Sequence, residues 1–136
     1  MSLLKASDPQ TIARSVSGAI VAISSIAGVK AVRPEVHVGY DVSKAGVAHM
    51  CRVLAVEWAK SGVRINAIGP GYTDTEMLAE VGRTSPEVMA LWLDDTPYGR
   101  LMKPEEIASG VAFLVSDAAS GVSGQLLMVD GGYSVA

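Results

Sequence analysis

The chain has 136 residues, enough for one domain or part of one, and its 49% apolar and 18% charged residues exclude an intrinsically disordered segment. A net charge of −3 and a pI near 5.3 supply no basic stripe for a phosphate backbone and argue against nucleic-acid binding. Cys51 is the one cysteine, so no disulfide framework forms, and no stretch approaches the ~20 apolar residues of a membrane span; a soluble, cytoplasmic protein is expected.

In chain order, Met1 to Ala6 lacks the sustained apolar core of a signal peptide, and the residues before Gly18 read as a helix remnant and a loop broken at Asp8-Pro9. Three apolar runs bounded by glycine or polar residues read as buried parallel strands: Ala19 to Ser24, Val63 to Ile68 and Leu126 to Val129. Between the first two, the spacing predicts a long helix from Tyr40 to Lys60. Its apolar stripe is Val47, Cys51, Leu54, Ala55 and Trp58, and Ser61-Gly62 closes its C-terminus.

Tyr40 and Lys44 open that helix at i and i+4, so the phenol and the ammonium share a face. An unperturbed phenol titrates near ~10 and moves few protons at neutral pH, whereas a fixed cation beside it favours phenolate. The same spacing also occurs in exposed stacking pairs with no chemistry. His37 and His49 invite a metal or base reading, but the helix start separates them and no Cys, Asp or Glu cluster completes a ligand set, so neither role is expected.

Asn66 reads either as a tie between the second strand and the turn Gly69-Pro70-Gly71, where small residues let backbone approach a bound cofactor, or as a simple strand-end hydrogen bond. Residues 73–101 then carry Met77, Leu78, Met89, Leu91, Trp92, Leu93, Pro97 and Tyr98 with less regular patterning, which reads either as core or as a lid. A second helix is predicted from Pro104, suited to a first turn, through Glu105 and Glu106, which complement the helix dipole, to Ser116. Asp130-Gly131-Gly132 reads as a turn packed against a neighbouring subunit rather than a phosphate nest. Alternating strands and helices give an α/β class.

Ser25, Tyr40 and Lys44 together resemble the catalytic set of the short-chain dehydrogenase/reductase family, and the resemblance runs from about Ser17 to the C-terminus. Arg64 to Thr75, with Pro70-Gly71 inside it, is similar to the family's sixth strand and following turn. Gly99 to Ala108 resembles its next landmark, and Ser123 to Gly132 its closing strand and Asp-Gly-Gly end. Ser24 competes with Ser25, but the family places its serine immediately before an x-x-Gly turn, here Ile26-Ala27-Gly28, which selects Ser25. The Ser25-to-Tyr40 interval is slightly longer than the family's usual one, implying a bulge or longer loop near Arg33-Pro34 that shapes substrate choice.

The resemblance implies the C-terminal part of a Rossmann-like, doubly wound parallel sheet whose N-terminal dinucleotide-binding half is missing. No Gly-x-x-x-Gly-x-Gly stretch lies upstream of Ser25, and the family's Asn-Asn-Ala-Gly strand end and relay asparagine are absent. It further implies hydride transfer between NAD or NADP and a small-molecule alcohol or carbonyl. Ser25 would orient the substrate oxygen, Tyr40 exchange its proton, and Lys44 lower the Tyr40 pKa and bind the nicotinamide ribose. Tyr40 and Lys44, with Pro70, Gly71, Thr73 and Thr75, would contact the cofactor, and Tyr72, Met77 and Trp92 would lie on the substrate beneath a lid at about 73–101. The complete family form is expected to be a homo-oligomer. The alternative is a truncated, catalytically silent piece acting only through association with another subunit, because its first strand would expose an unpaired edge.

Overall fold

The computed structural model describes residues 18–136, so the expected break at Asp8-Pro9 and the helix remnant lie outside the described residues. Three parallel strands, β1 (Gly18–Ile23), β2 (Val63–Pro70) and β3 (Leu126–Val129), form one sheet in that order. Side chains alternate across a strand, and both faces of β2 are covered. On one face Ile65 and Ala67 join Ala22 and Cys51 in a buried cluster. The Cys51 helix, α1 (Val38–Trp58), lays Val47, Leu54, Ala55 and Trp58 against that cluster, the stripe expected from spacing. On the other face lies α4 (Pro104–Val115), where a Cβ on Gly110 would stand 2.8 Å from the Ile68 side chain. Arg64 donates to the carbonyls of Leu114 at 2.8 Å and Ser116 at 3.1 Å, closing the C-terminal end of α4. Between β2 and α4 runs a helical pair, α2 (Glu76–Thr84) and α3 (Pro86–Asp94). No helix among the described residues is long and apolar enough to cross a membrane.

Several boundaries differ from expectation. α1 starts at Val38, because the His37 carbonyl already accepts from the backbone N–H groups of Tyr40 and Asp41; Tyr40 therefore lies inside the first turn. A short 3₁₀ turn, Ala59–Ser61, follows α1 and ends at Gly62 in the left-handed region, φ 72°, where glycine is favoured. β2 runs on to Pro70 because Gly69 and Pro70 pair with Met128 and Val129. At the head of α4, Glu106 accepts from the Lys103 N–H at 2.7 Å. Arg100 beside Glu106, together with that backbone bond, holds its carboxyl down at about 2.

Asn66 does not tie β2 to the Pro70 turn. Fully buried, it donates from Nδ2 to the Val122 carbonyl at 2.9 Å and accepts at Oδ1 from the Gln125 N–H at 3.0 Å, clamping the loop that leads into β3. The reason is register: β2 pairs with β3 from Ala67 and Leu126, which sets Asn66 beside the loop rather than beside the turn.

The joint between β1 and α1 fixes the other end of the chemistry-bearing segment. A 3₁₀ turn, Ile26–Gly28, follows Ser25, and Gly28 runs so close to α1 that a Cβ there would stand 2.7 Å from the Lys44 carbonyl carbon and 2.8 Å from the Ala45 nitrogen. Ser24 donates its hydroxyl to the Lys44 carbonyl at 2.8 Å.

Two stability outcomes follow from these contacts. Asn66→Ala leaves the Gln125 N–H and Val122 carbonyl without their partner and should cost roughly 2–4 kcal/mol in urea unfolding; an unchanged midpoint would show that the clamp is dispensable. Gly28→Ala forces a methyl onto helix backbone and should cost about 1–3 kcal/mol, visible as a lower thermal midpoint. A Gly28→Ala protein melting with the parent would show that the turn and α1 can separate freely.

Candidate active site

A cleft of about 450 Å³ opens at the carboxyl ends of β1 and β2. That is where open parallel sheets bind ligands. All ten residues singled out from the sequence line it: Ser25, Tyr40, Lys44, Pro70, Gly71, Tyr72, Thr73, Thr75, Met77 and Trp92. A second hollow, of about 440 Å³, lies around Gly62, Arg64 and Asp117 at the opposite ends of the strands and contains none of them.

The two serines at the end of β1 separate by what they bond. Ser24 is buried and donates to the Lys44 carbonyl, so its hydroxyl is engaged in joining strand to helix. Ser25 is only partly buried, caps the following turn by accepting from the Ala27 N–H at 3.2 Å, and keeps its own hydroxyl proton for another partner. One helical turn brings Tyr40 and Lys44 together, with Lys44 Nζ 5.5 Å from the Tyr40 ring centroid. Lys44 Nζ also donates to the Ile23 carbonyl at 3.1 Å, which aims the ammonium at the end of β1. Tyr40 is 47% exposed and meets the His37 ring edge-on at 5.3 Å.

Pro70 and Gly71 leave β2 beside the end of β3, and a Cβ on Gly71 would stand 2.7 Å from the Asp130 Cα, so the turn can pass there only as glycine. Thr73 donates to the Gly71 carbonyl at 2.9 Å and pairs with Met102 in a parallel bridge. Thr75 caps α2, its hydroxyl oxygen accepting from the Leu78 N–H at 3.5 Å. Within the helical pair, Met77 is exposed at the rim, whereas Trp92 is 6% exposed and stacks on Tyr72 with ring centroids 4.5 Å apart. Burial, then the nearby Glu35 carboxylate, push the Tyr72 phenol well above its ordinary value.

Two lining residues carry signals that sequence reasoning passed over. Glu35 sits in the loop before α1 and lines the cleft; its place between Ser25 and Tyr40 was the available clue. His37, set aside from the sequence as either a metal ligand or a base, also lines the cleft, with Nδ1 2.6 Å from the Asp41 carboxylate. Among the described residues, no group of three or more His, Cys, Asp or Glu side chains is arranged to hold a metal ion. Asp130 binds within its own turn, accepting from the N–H groups of Gly132 at 3.0 Å and Ser134 at 2.9 Å.

Comparison with known proteins assigns the family. Residues 1–134 match a family model described as Enoyl-(Acyl carrier protein) reductase. A galactitol 2-dehydrogenase (L-tagatose-forming) of Cereibacter sphaeroides is 49% identical over 119 residues, covering 88% of this chain and 46% of that protein. The crystal structure of gox2181 superposes with a TM-score of 0.90 at 41% identity, over 98% of this chain and 51% of the other. An Agrobacterium tumefaciens structure with bound NADP gives a TM-score of 0.83 at 36% identity, over 92% and 50% of the two chains. The chain thus spans about half the length of the curated relatives it matches. On sequence and fold together, it belongs to the short-chain dehydrogenase/reductase family of oxidoreductases.

Proposed function

We propose that this chain is the substrate-proximal part of an NAD(P)-dependent dehydrogenase that interconverts an alcohol and a carbonyl through Ser25, Tyr40 and Lys44. The observation that carries the reading is Lys44 poised over the Tyr40 ring in the cleft that Ser25 also lines. In the oxidative direction the substrate hydroxyl donates its proton to the Tyr40 phenolate oxygen as the carbonyl forms. Lys44 offsets the negative charge on that oxygen, and Ser25 donates a hydrogen bond to the substrate oxygen and fixes its position. A bound nicotinamide supplies the hydride acceptor for this chemistry.

The donor set fits the nicotinamide end of such a cofactor. Lys44 has ammonium protons beyond the one given to Ile23, and Thr73 and Thr75 bring hydroxyl oxygens to the same cleft beside the small Pro70-Gly71 turn. The helical pair α2–α3, within the expected 73–101 lid, would cover the bound substrate and exclude water. A homo-oligomer is supported by α1, whose outer side leaves Val38, Val42 and Val56 largely exposed.

A second reading, a silent piece that works only through association, draws on β1. Among the described residues that strand pairs with β2 alone and leaves its other edge open. Fluorescence titration of the folded chain with NADH and NADPH separates the two: saturable binding supports the dehydrogenase, and no binding to either supports the silent piece.

Chemistry is tested at the phenol. Tyr40→Phe should lower kcat by about 10²-fold or more with cofactor affinity nearly unchanged, while Lys44→Ala should weaken both. A Tyr40→Phe protein turning over at the parent rate would remove Tyr40 from the mechanism.

A further inference from the structure

At the start of α1 the burial of three consecutive side chains runs against their polarity. Val36 and Val38 are 99% and 76% exposed, whereas the His37 side chain between them is 32% exposed and lines the cleft. Helix capping does not account for this. His37 occupies the N-cap of α1, a position that favours Ser, Thr, Asp or Asn, and its side chain makes no capping bond. The ring meets two residues of the first turn instead, Tyr40 and Asp41.

Asp41 holds that ring. His37 Nδ1 lies 2.6 Å from Asp41 Oδ1, both atoms are shielded from solvent, and neither has a hydrogen bond elsewhere among the described residues. Two lone pairs do not close to that distance, so Nδ1 is assigned the proton. The backbone ties the same residues together, the His37 carbonyl accepting from the N–H groups of Tyr40 at 2.8 Å and Asp41 at 3.2 Å. The Asp41 carboxylate also stands in the first turn of α1, where the helix dipole favours negative charge.

The phenol of Tyr40 lacks such anchoring of its own. Tyr40 is 47% exposed, so core packing does not set the rotamer of its ring. One helical turn after it, the Lys44 ammonium stands 5.5 Å from the ring centroid; one turn before it, the His37 ring stands 5.3 Å away with the two planes at 67°. An edge-to-face contact between aromatic rings is directional and favours one tilt of the phenol. Both neighbours are themselves held, Lys44 by the Ile23 carbonyl at 3.1 Å and His37 by Asp41.

Resting on the dehydrogenase reading for the role of the phenol, we propose that His37, held by Asp41, is a positioning residue for Tyr40. It braces the phenol ring so that the reacting oxygen is presented in a single orientation, and it acts through Tyr40 rather than on the substrate.

Side-chain NMR of the whole chain, labelled at tyrosine and histidine, reads the brace directly. Tyr40→Phe assigns one of the four tyrosines, and His49→Gln removes the second histidine. The parent should show cross-relaxation between the His37 and Tyr40 ring protons and the couplings of a single Tyr40 χ1 rotamer. His37→Ala and Asp41→Ala should each average those couplings. His37→Phe returns an aromatic edge to the position and should restore the single rotamer, which separates loss of the brace from a variant that fails to fold. In turnover, His37→Ala should lower kcat by about 10- to 100-fold with KM within about twofold, and Asp41→Ala should add no further loss on top of it. A Tyr40 that keeps one rotamer in His37→Ala overturns the inference. A rise in KM at constant kcat also overturns it, by placing His37 on the substrate, as does an additive loss in the double variant, by uncoupling Asp41 from His37. The two readings fail separately. A Tyr40 rotamer that depends on His37 in a chain binding neither NADH nor NADPH leaves the brace standing and removes the dehydrogenase, whereas cofactor binding with turnover unchanged by His37→Ala removes the brace alone.

Discussion

The site depends on the joint between the end of β1 and the second turn of α1, and every link in that joint converges on Lys44. Its carbonyl accepts the Ser24 hydroxyl, its ammonium donates to the Ile23 carbonyl, and its backbone lies against Gly28 with no room for a side chain. Strand, turn and helix are therefore locked through one residue that also carries charge. Tyr40 precedes Lys44 by one turn, and Ser25 lies between Ser24 and Gly28, so neither can move independently of the joint. In the proposed mechanism that matters because a substrate oxygen shared by Ser25 and Tyr40 would tolerate little displacement: a shift of about 1 Å can cost roughly a hundredfold in rate. The buried cluster of Ala22, Cys51, Ile65 and Ala67 presses α1 onto the sheet and keeps the joint closed.

The other wall of the cleft is assembled by a chain of contacts that starts at the C-terminal turn. Asp130 folds the segment after β3 through the N–H groups of Gly132 and Ser134. Lys30 donates to the Tyr133 carbonyl at 3.2 Å and lies 5.0 Å over its ring, Tyr133 meets Tyr72 edge-on, and Tyr72 stacks on Trp92. The loop before α1 is thus held by Lys30 at its start and by the Arg33–Asp95 pair further along. Arg33 holds the Asp95 carboxyl below its ordinary value. As an exposed pair it contributes little to global stability, but its two-pronged geometry restricts the loop that carries Glu35.

How much of this was legible in the sequence follows from the range of each interaction. The stripe of α1 and the strand cores are periodic and local, and they appear in the structure nearly as spacing predicts. The ten expected site residues gather in one cleft because parallel strands end on the same side, a property of topology that the order of motifs encodes. Asn66 was misjudged because its partners, Val122 and Gln125, lie 56 and 59 positions away and are set by the register with β3, which no local pattern reveals. Ser24 and Ser25 were separable only by motif, whereas the structure separates them by the bond from Ser24 to Lys44. Glu35 escaped because a single carboxylate in a loop has no periodicity; only burial of its oxygen distinguishes it from a solvated charge.

The polar groups of the residues lining the cleft divide into a paired and an unpaired set, with an energetic consequence. Lys44 keeps a carbonyl partner, and Ser25 keeps an N–H partner, whether or not a ligand is present. In the proposed mechanism such groups would be oriented before chemistry and need little reorganisation. Glu35 Oε2 and Trp92 Nε1, buried without a partner among the described residues, lack that compensation, and a buried polar group left unpaired costs about 1–3 kcal/mol.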